Sequence, residues 1–170
     1  MIVTILVALA ALLAAAFWSL GPERVWSLFG PADLGPVAFE TLERRSSPTD
    51  ALACPSGFCA AESDIHPPIY PVDVDTLRKA FARALLTERL VTRVDINDAT
   101  GTDRYVQRTE KMRFPDTVIV CYVSLGNQRS TVVIYSRSQL GKSDLGVNHA
   151  RVERWLQKLS REIARLRAKP

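Results

Sequence analysis

Histidine and cysteine are scarce in this chain, with two of one and three of the other among 170 residues. His66 and His149 leave few candidates for a general base. A closed zinc site needs four donors, so no metal is expected, and no motif points to a cofactor. The first cysteine is Cys54, so the amino-terminal region has no thiol for lipid attachment. No Lys or Arg precedes the first apolar run, where a cleaved signal peptide carries positive charge. No basic stretch is interleaved with aromatic residues, and no nucleic-acid-binding pattern is visible, so nucleic acid is not an expected partner. No internal repeat is present. Hydrophobic residues at 47% and charged residues at 24% exclude both a disordered chain and a wholly membrane-embedded one.

Charge is also missing from IVTILVALAALLAAAFWSL, Ile2 to Leu20. At ~1.5 Å per residue such a helix is roughly 28 Å long, close to the hydrocarbon thickness of a bilayer. Phe17 and Trp18 stand at its end, where amphipathic rings suit the headgroup region. Gly21 and Pro22 then stop it. A buried core helix would be shorter and would show a polar face. Cleavage after Ala14–Ala16 is sterically open, but the apolar run continues past it. The reading is an uncleaved single-pass anchor over residues 1–21, with bilayer lipid as a partner and an integral membrane protein as a further partner class. Arg24 beside Glu23 gives the positive-inside rule almost nothing to count. Orientation therefore rests on Cys54 and Cys59 in CPSGFC. A disulfide between them places the domain on an oxidising, extracytoplasmic side, the periplasm in a bacterium. A metal half-site and two free thiols are the alternatives. Cys121, inside TVIVCYVSL, reads as an inert core residue.

Eight of the ten prolines fall between residues 22 and 71, a density that defeats helices and central strands. Residues 22–63 read as a Pro-rich linker with the cysteine loop near its end, and 64–170 as the folded domain. HPPIYP is expected to lay an extended strip on that domain, burying Ile69 and Tyr70. Asp73 is placed to cap a helix whose apolar positions are Val74, Leu77, Phe81, Ala84 and Leu85. LVTRVDIN alternates, with Leu90, Thr92, Val94 and Ile96 on one side, while DRYVQRTE is more polar and reads as nearer an edge. TVIVCYVSL and STVVIYSRS are β-branched and aromatic, joined by a turn at Gly126-Asn127. Val152, Trp155, Leu156, Leu159, Ile163 and Leu166 mark a final amphipathic helix. The expected architecture is α+β: an amino-terminal transmembrane helix, then a two-layer domain with a four-stranded, mainly antiparallel sheet covered by two helices.

Basic charge is local. Seven of the 22 basic residues lie between Asn148 and Pro170, against Glu153 and Glu162 alone. A solvated helix face accounts for this; contact with anionic lipid or an acidic partner is the functional alternative. YSRSQLGKSDLGVNHARVERW has the look of a phosphate-binding loop, but the position that needs glycine is Ser136. Asp144 to Gly146 also separate Lys142 from the helix, so the match is accidental.

RTEKMRFPD, then IYSRSQLGKSDLGVNHARVERWLQKL, with a proline-flanked cysteine pair upstream, resembles the family called domain of unknown function 1499. The similarity spans Cys54 to Leu159, and its hallmark is Arg137-Ser138, Gly141, Ser143-Asp144, Gly146, Asn148 and Arg151. The cysteine loop is slightly shorter than the family's form. The resemblance implies a shared fold and no known reaction.

The hallmark run joins a strand end to a helix amino terminus, where free amides attract anions. Arg137, Lys142 and Arg151, with Ser138 and Ser143 as hydroxyl donors and Asp144 and Asn148 between them, are the candidate ligand-binding residues. Arg108 and Arg113, with Glu110 and Asp116, bracket another strand end that can face them. The alternative is a buried network in which Asp144 or Asn148 caps the helix and Arg137 pairs with Asp116 or Glu110. No catalytic set is assignable: Ser138, His149 and Asp144 share residue types with a hydrolase triad, which is no argument for geometry. The expected function is a membrane-anchored accessory or binding module, serving a membrane complex or binding an anionic small molecule or lipid. The alternative is a hydrolase or transferase acting on an anionic substrate at residues 137–151.

Overall fold

The structure, a computed structural model, describes residues 1–168, so Lys169 and Pro170 of the basic segment lie outside the described residues. Two helices come first, α1 (Ile2–Leu20) and α2 (Pro22–Ser27). α1 is uncharged and long and apolar enough to cross a membrane, and none of its described side chains is buried in the protein. α2 begins with Pro22 in its first turn, where the missing amide hydrogen is harmless.

The sheet has five strands rather than the expected four: β1 (Asp50–Ala53), β2 (Val91–Asn97), β3 (Thr102–Arg108), β4 (Pro115–Ser124) and β5 (Ser130–Ser138). Their order is β1-β5-β4-β3-β2, and every pairing is antiparallel. The additional strand is β1, which lies in the Pro-rich region and pairs Asp50 with Arg137 and Ala53 with Ile134. Its four residues contain no β-branched or aromatic side chain, so propensity gave it no signal.

Helices α3 (Val74–Ala84) and α4 (Val147–Arg167) cover one sheet face. Asp73 caps α3 by accepting the Thr76 amide at 2.8 Å. Leu77 and Phe81 of α3 meet Val152, Trp155 and Leu159 of α4 over Ala51, Tyr105, Val118, Val120, Val132 and Ile134. Alternate residues Leu52, Ile119, Cys121, Val133 and Tyr135 point the other way and are covered by Phe39 and Leu42. Residues 37–61 thus form a second core layer, which explains why β4 and β5 read as continuous rather than alternating apolar runs.

Two strand readings are corrected. β3 is internal, between β2 and β4, and β2 is the edge. The register of β2 shifts between Arg93 and Asp95, and Val94 and Ile96 are exposed. In the extended strip, Tyr70 is buried and bridges Ser130, while Ile69 is exposed.

Candidate functional site

β5 ends beside the start of α4, and its alternation sends the candidate residues to opposite faces. Ser136 and Ser138 point toward α4, and Arg137 points away from it. On the helix side, Arg151 lies buried at the centre of a polar network. Its Nη2 bonds the Asp116 carboxylate, Nε donates to Gln107 Oε1 at 2.6 Å, and Nη1 donates to Ser136 Oγ at 2.9 Å and to Asn148 Oδ1. Asn148 Nδ2 donates to Ser138 Oγ at 2.9 Å, to the Thr49 carbonyl at 3.0 Å and to Asp144 Oδ2 at 2.6 Å. Asp144, just before α4, accepts the Asn148 amide of its first turn at 2.8 Å and the Gly146 amide at 2.9 Å. Gly146 itself sits at φ 78°, a left-handed conformation that the turn into the helix requires.

Register explains the convergence. Gln107 pairs with Asp116, and Asp116 with Ser138, so three adjacent strands deliver polar side chains to one spot facing the first turns of α4. The partner of Asp116 is Arg151, correcting the expectation of Arg137. The N-cap position is Gly146, and Asp144, two residues before it, supplies the side-chain acceptor expected of Asp144 or Asn148. Gln107, Ser136 and Thr49 belong to the network and were not among the candidates. The available signal was phase: Gln107 follows Tyr105 by two residues and therefore shares its inward face.

Arg137 serves the opposite layer. Its Nη2 donates to the carbonyls of Leu34 at 2.9 Å and Gly35 at 2.8 Å, and its guanidinium lies 5.8 Å from the Tyr135 ring centre. Burial pulls the guanidinium below its ordinary value, and its buried Nε has no partner. Arg108 meets Glu23 at 3.5 Å and donates to the Arg113 carbonyl. Lys142 is exposed, and Ser143 Oγ accepts the Leu145 amide at 3.3 Å. The nine candidates therefore divide among a closed network, a strut for the lead-in and an exposed rim.

No nucleophile–base pair forms around the catalytic candidates. His149 faces Glu153 at 3.7 Å, and Glu110 faces Arg89 at 3.3 Å. Burial pushes the Cys121 thiol up to about 11, far from a reactive thiolate. Cys54 and Cys59 are joined in a disulfide. Among the described residues, no group of three or more His, Cys, Asp or Glu comes together to hold a metal.

A family model described as a protein of unknown function, DUF1499, matches residues 47–159, from just before β1 into α4. The chain belongs to this family. The match contains all of the network around Arg151 in the DUF1499 domain, while α1 and α2 precede it. No curated protein matches the chain. Among solved structures, the di-domain ARO/CYC BexL from the BE-7585A biosynthetic pathway is similar at 12% identity and a TM-score of 0.38. The alignment covers 68% of this chain and 44% of that one, so the DUF1499 chain spans less than half of that protein's length.

Two clefts border the network of the DUF1499 domain and are partly lined by its members, Asp116, Ser138 and Asp144 in one and Gln107 and Arg151 in the other. One, of about 290 Å³, is lined by Phe114, Leu140, Leu145 and Val147, with Thr109 and Ser138 among its polar residues. The other, of about 470 Å³, is lined by Glu88, Arg89, Gln107, Arg108, Glu110 and Arg154. Its charges are paired, Arg89 to Glu110 and Arg154 to Glu88 within the cleft and Arg108 to Glu23 outside it.

Proposed function

We propose that this DUF1499 chain is a membrane-tethered accessory module, not an enzyme, with its domain on an oxidising, extracytoplasmic side. The observation that carries this reading is the closure of the hallmark network: Arg151, Asp116, Asn148, Ser136 and Ser138 satisfy one another. A catalytic site keeps a reactive group accessible, whereas a closed polar network specifies a shape. The uncharged, unburied α1 supports the tether, and the Cys54–Cys59 disulfide supports the compartment.

Affinity capture of the tagged full chain from gently solubilised membranes tests the accessory role. A stoichiometric integral membrane partner, lost when α1 is exchanged for an unrelated transmembrane helix or when the domain is unfolded, is the expected result. A chain that recovers no partner and turns over an anionic ester, with turnover abolished by Ser138→Ala, refutes it.

A further inference from the structure

The apolar cleft lies at the end of the domain that receives the chain from α1. Trp26 of α2 makes the connection. Its ring centre is 5.4 Å from that of Phe17 in the last turns of α1, and 4.4 Å from that of Phe114, which lines the cleft. The Trp26 indole also donates to the Met112 carbonyl. One side chain thus bridges the greasy helix to the β3–β4 turn, so the rim formed by residues 109–114 and 140–147 faces the same way as the carboxyl end of α1.

That rim has three features that water does not explain. Leu145 is 93% exposed and is held at φ 54°, a backbone region that a branched side chain disfavours. Leu28 at 83% and Phe29 at 64% are exposed beside Trp26, and Met112 is exposed on the turn that Trp26 grips. Finally, the nearby acids are engaged: Glu23 by Arg108, Glu110 by Arg89, and Asp144 by the Gly146 and Asn148 amides and the Asn148 side chain, so that Asp144 alone keeps a charge that no described cation matches. Arg24, Lys111, Arg113 and Lys142 are left without a carboxylate partner among the described residues. Protruding apolar side chains ringed by unpaired cations suit an anionic lipid interface, where the apolar groups enter the acyl boundary and the cations meet headgroup phosphates.

We propose that this rim docks the domain onto the anionic surface of the bilayer that holds α1, with Leu145 inserted at the interface and Lys111, Arg113 and Lys142 on the lipid phosphates. This rests on the tether reading and deepens it. The domain lies against the membrane by a defined end, and the distal β4–β5 hairpin points away. β4 has ten residues, so at about 3.3 Å per residue that hairpin stands roughly 30 Å further out.

The test uses the full chain in vesicles of phosphatidylcholine alone or of an equal mixture with phosphatidylglycerol. A nitroxide is placed by Leu145→Cys or, as the distal control, by Leu125→Cys. The native disulfide and the buried Cys121 leave the introduced thiol as the labelling site. In the mixed vesicles the label at 145 is expected to be several-fold less accessible than that at 125 to a water-soluble nickel chelate, and more accessible to oxygen. The triple substitution K111Q, R113Q and K142Q should restore aqueous access at 145. Equal aqueous access at 145 and 125, in chain that resists alkaline carbonate extraction, overturns the docking while leaving the tether standing. Extraction by carbonate overturns both. Shielding at 145 that is the same without phosphatidylglycerol, or that needs a co-purified protein, overturns the assignment of anionic lipid.

Discussion

The guanidinium of Arg151 and the carboxylate of Asp116 form an ion pair inside the protein, each side chain only 3% exposed. Helix α4 and strand β4 are locked together by it. Removing one member of a buried pair strands the other charge and typically costs about 3–5 kcal/mol. Asp116→Ala is therefore expected to destabilise the full chain by about that amount in urea titrations in detergent. The double variant with Arg151→Met should lose less than the two single variants combined. It should not return to wild type, because Gln107, Ser136 and Asn148 lose their donor too. Additive single effects would mean that the pair is not coupled.

Glu88 gives the domain an acid-sensitive joint between the end of α3 and the middle of α4. Burial pushes its carboxyl up, but bonds from Arg154, Lys158 and Gln107 more than offset this and hold it at about 2, against an ordinary 4.5. The folded state therefore binds fewer protons than the unfolded state between these values. The stabilisation is complete above pH 4.5 and is lost as pH falls through about 2. Asp64 is likewise held low, burial being outweighed by Arg44 and the Leu52 amide, and Asp73 by the Thr76 amide and hydroxyl. Glu88→Gln should accordingly flatten part of the acid decline in the urea midpoint without abolishing it. An unchanged pH profile would remove Glu88 from the account.

Periodicity made the helices and long strands legible. The Asp73 cap, the α3 and α4 stripes and the turn after β4 follow from local chemistry that tertiary context did not alter. β1 was not legible, because Asp50–Ala53 is buried through partners more than eighty residues away and not through its own composition. The second core layer was hidden for the same reason: prolines argue against long regular elements but not against packing, and Phe39 and Leu42 reach the sheet from a single 3-10 turn, Phe39–Thr41. At the candidate site, residue types were readable and faces were not. Arg137 and Arg151 look equivalent along the chain, yet the pleat of β5 puts Arg137 against the lead-in while α4 carries Arg151 into the helix layer.

Three cysteines should give only one kind of reactive thiol. Cys54 and Cys59 are bonded, and Cys121 is buried with its thiol pushed up to about 11. Maleimide treatment of native full chain in its own membranes is expected to label none of the three, Cys59 alone after reduction because Cys54 is as buried as Cys121, and all after unfolding with reductant. Closing so short a loop stabilises by about 2 kcal/mol in the chain-entropy account. The paired Cys54→Ser and Cys59→Ser variant should therefore fold, with a lowered urea midpoint. Immediate labelling of Cys59 without reductant would withdraw the support for an oxidising compartment.

Arg137 offers the sharpest separation of a structural role from a ligand-binding one. Two lead-in carbonyls, Leu34 and Gly35, take both of its hydrogen bonds, while Thr117 beside it on β4 accepts the Leu34 amide at 2.9 Å. Arg137→Met keeps most of the stem's packing but leaves those carbonyls without donors, a loss of about 1–3 kcal/mol. Hydrogen exchange should rise at amides of residues 33–42, while β4, β5 and the first turns of α4 keep their protection. Arg137→Lys should recover only part of it, because both bonds come from Nη2 at the far end of the guanidinium, where the shorter lysine side chain does not bring its ammonium. If the Met variant left the lead-in fully protected, Arg137 would have no structural duty there, and a ligand-binding role would be the reading left for it.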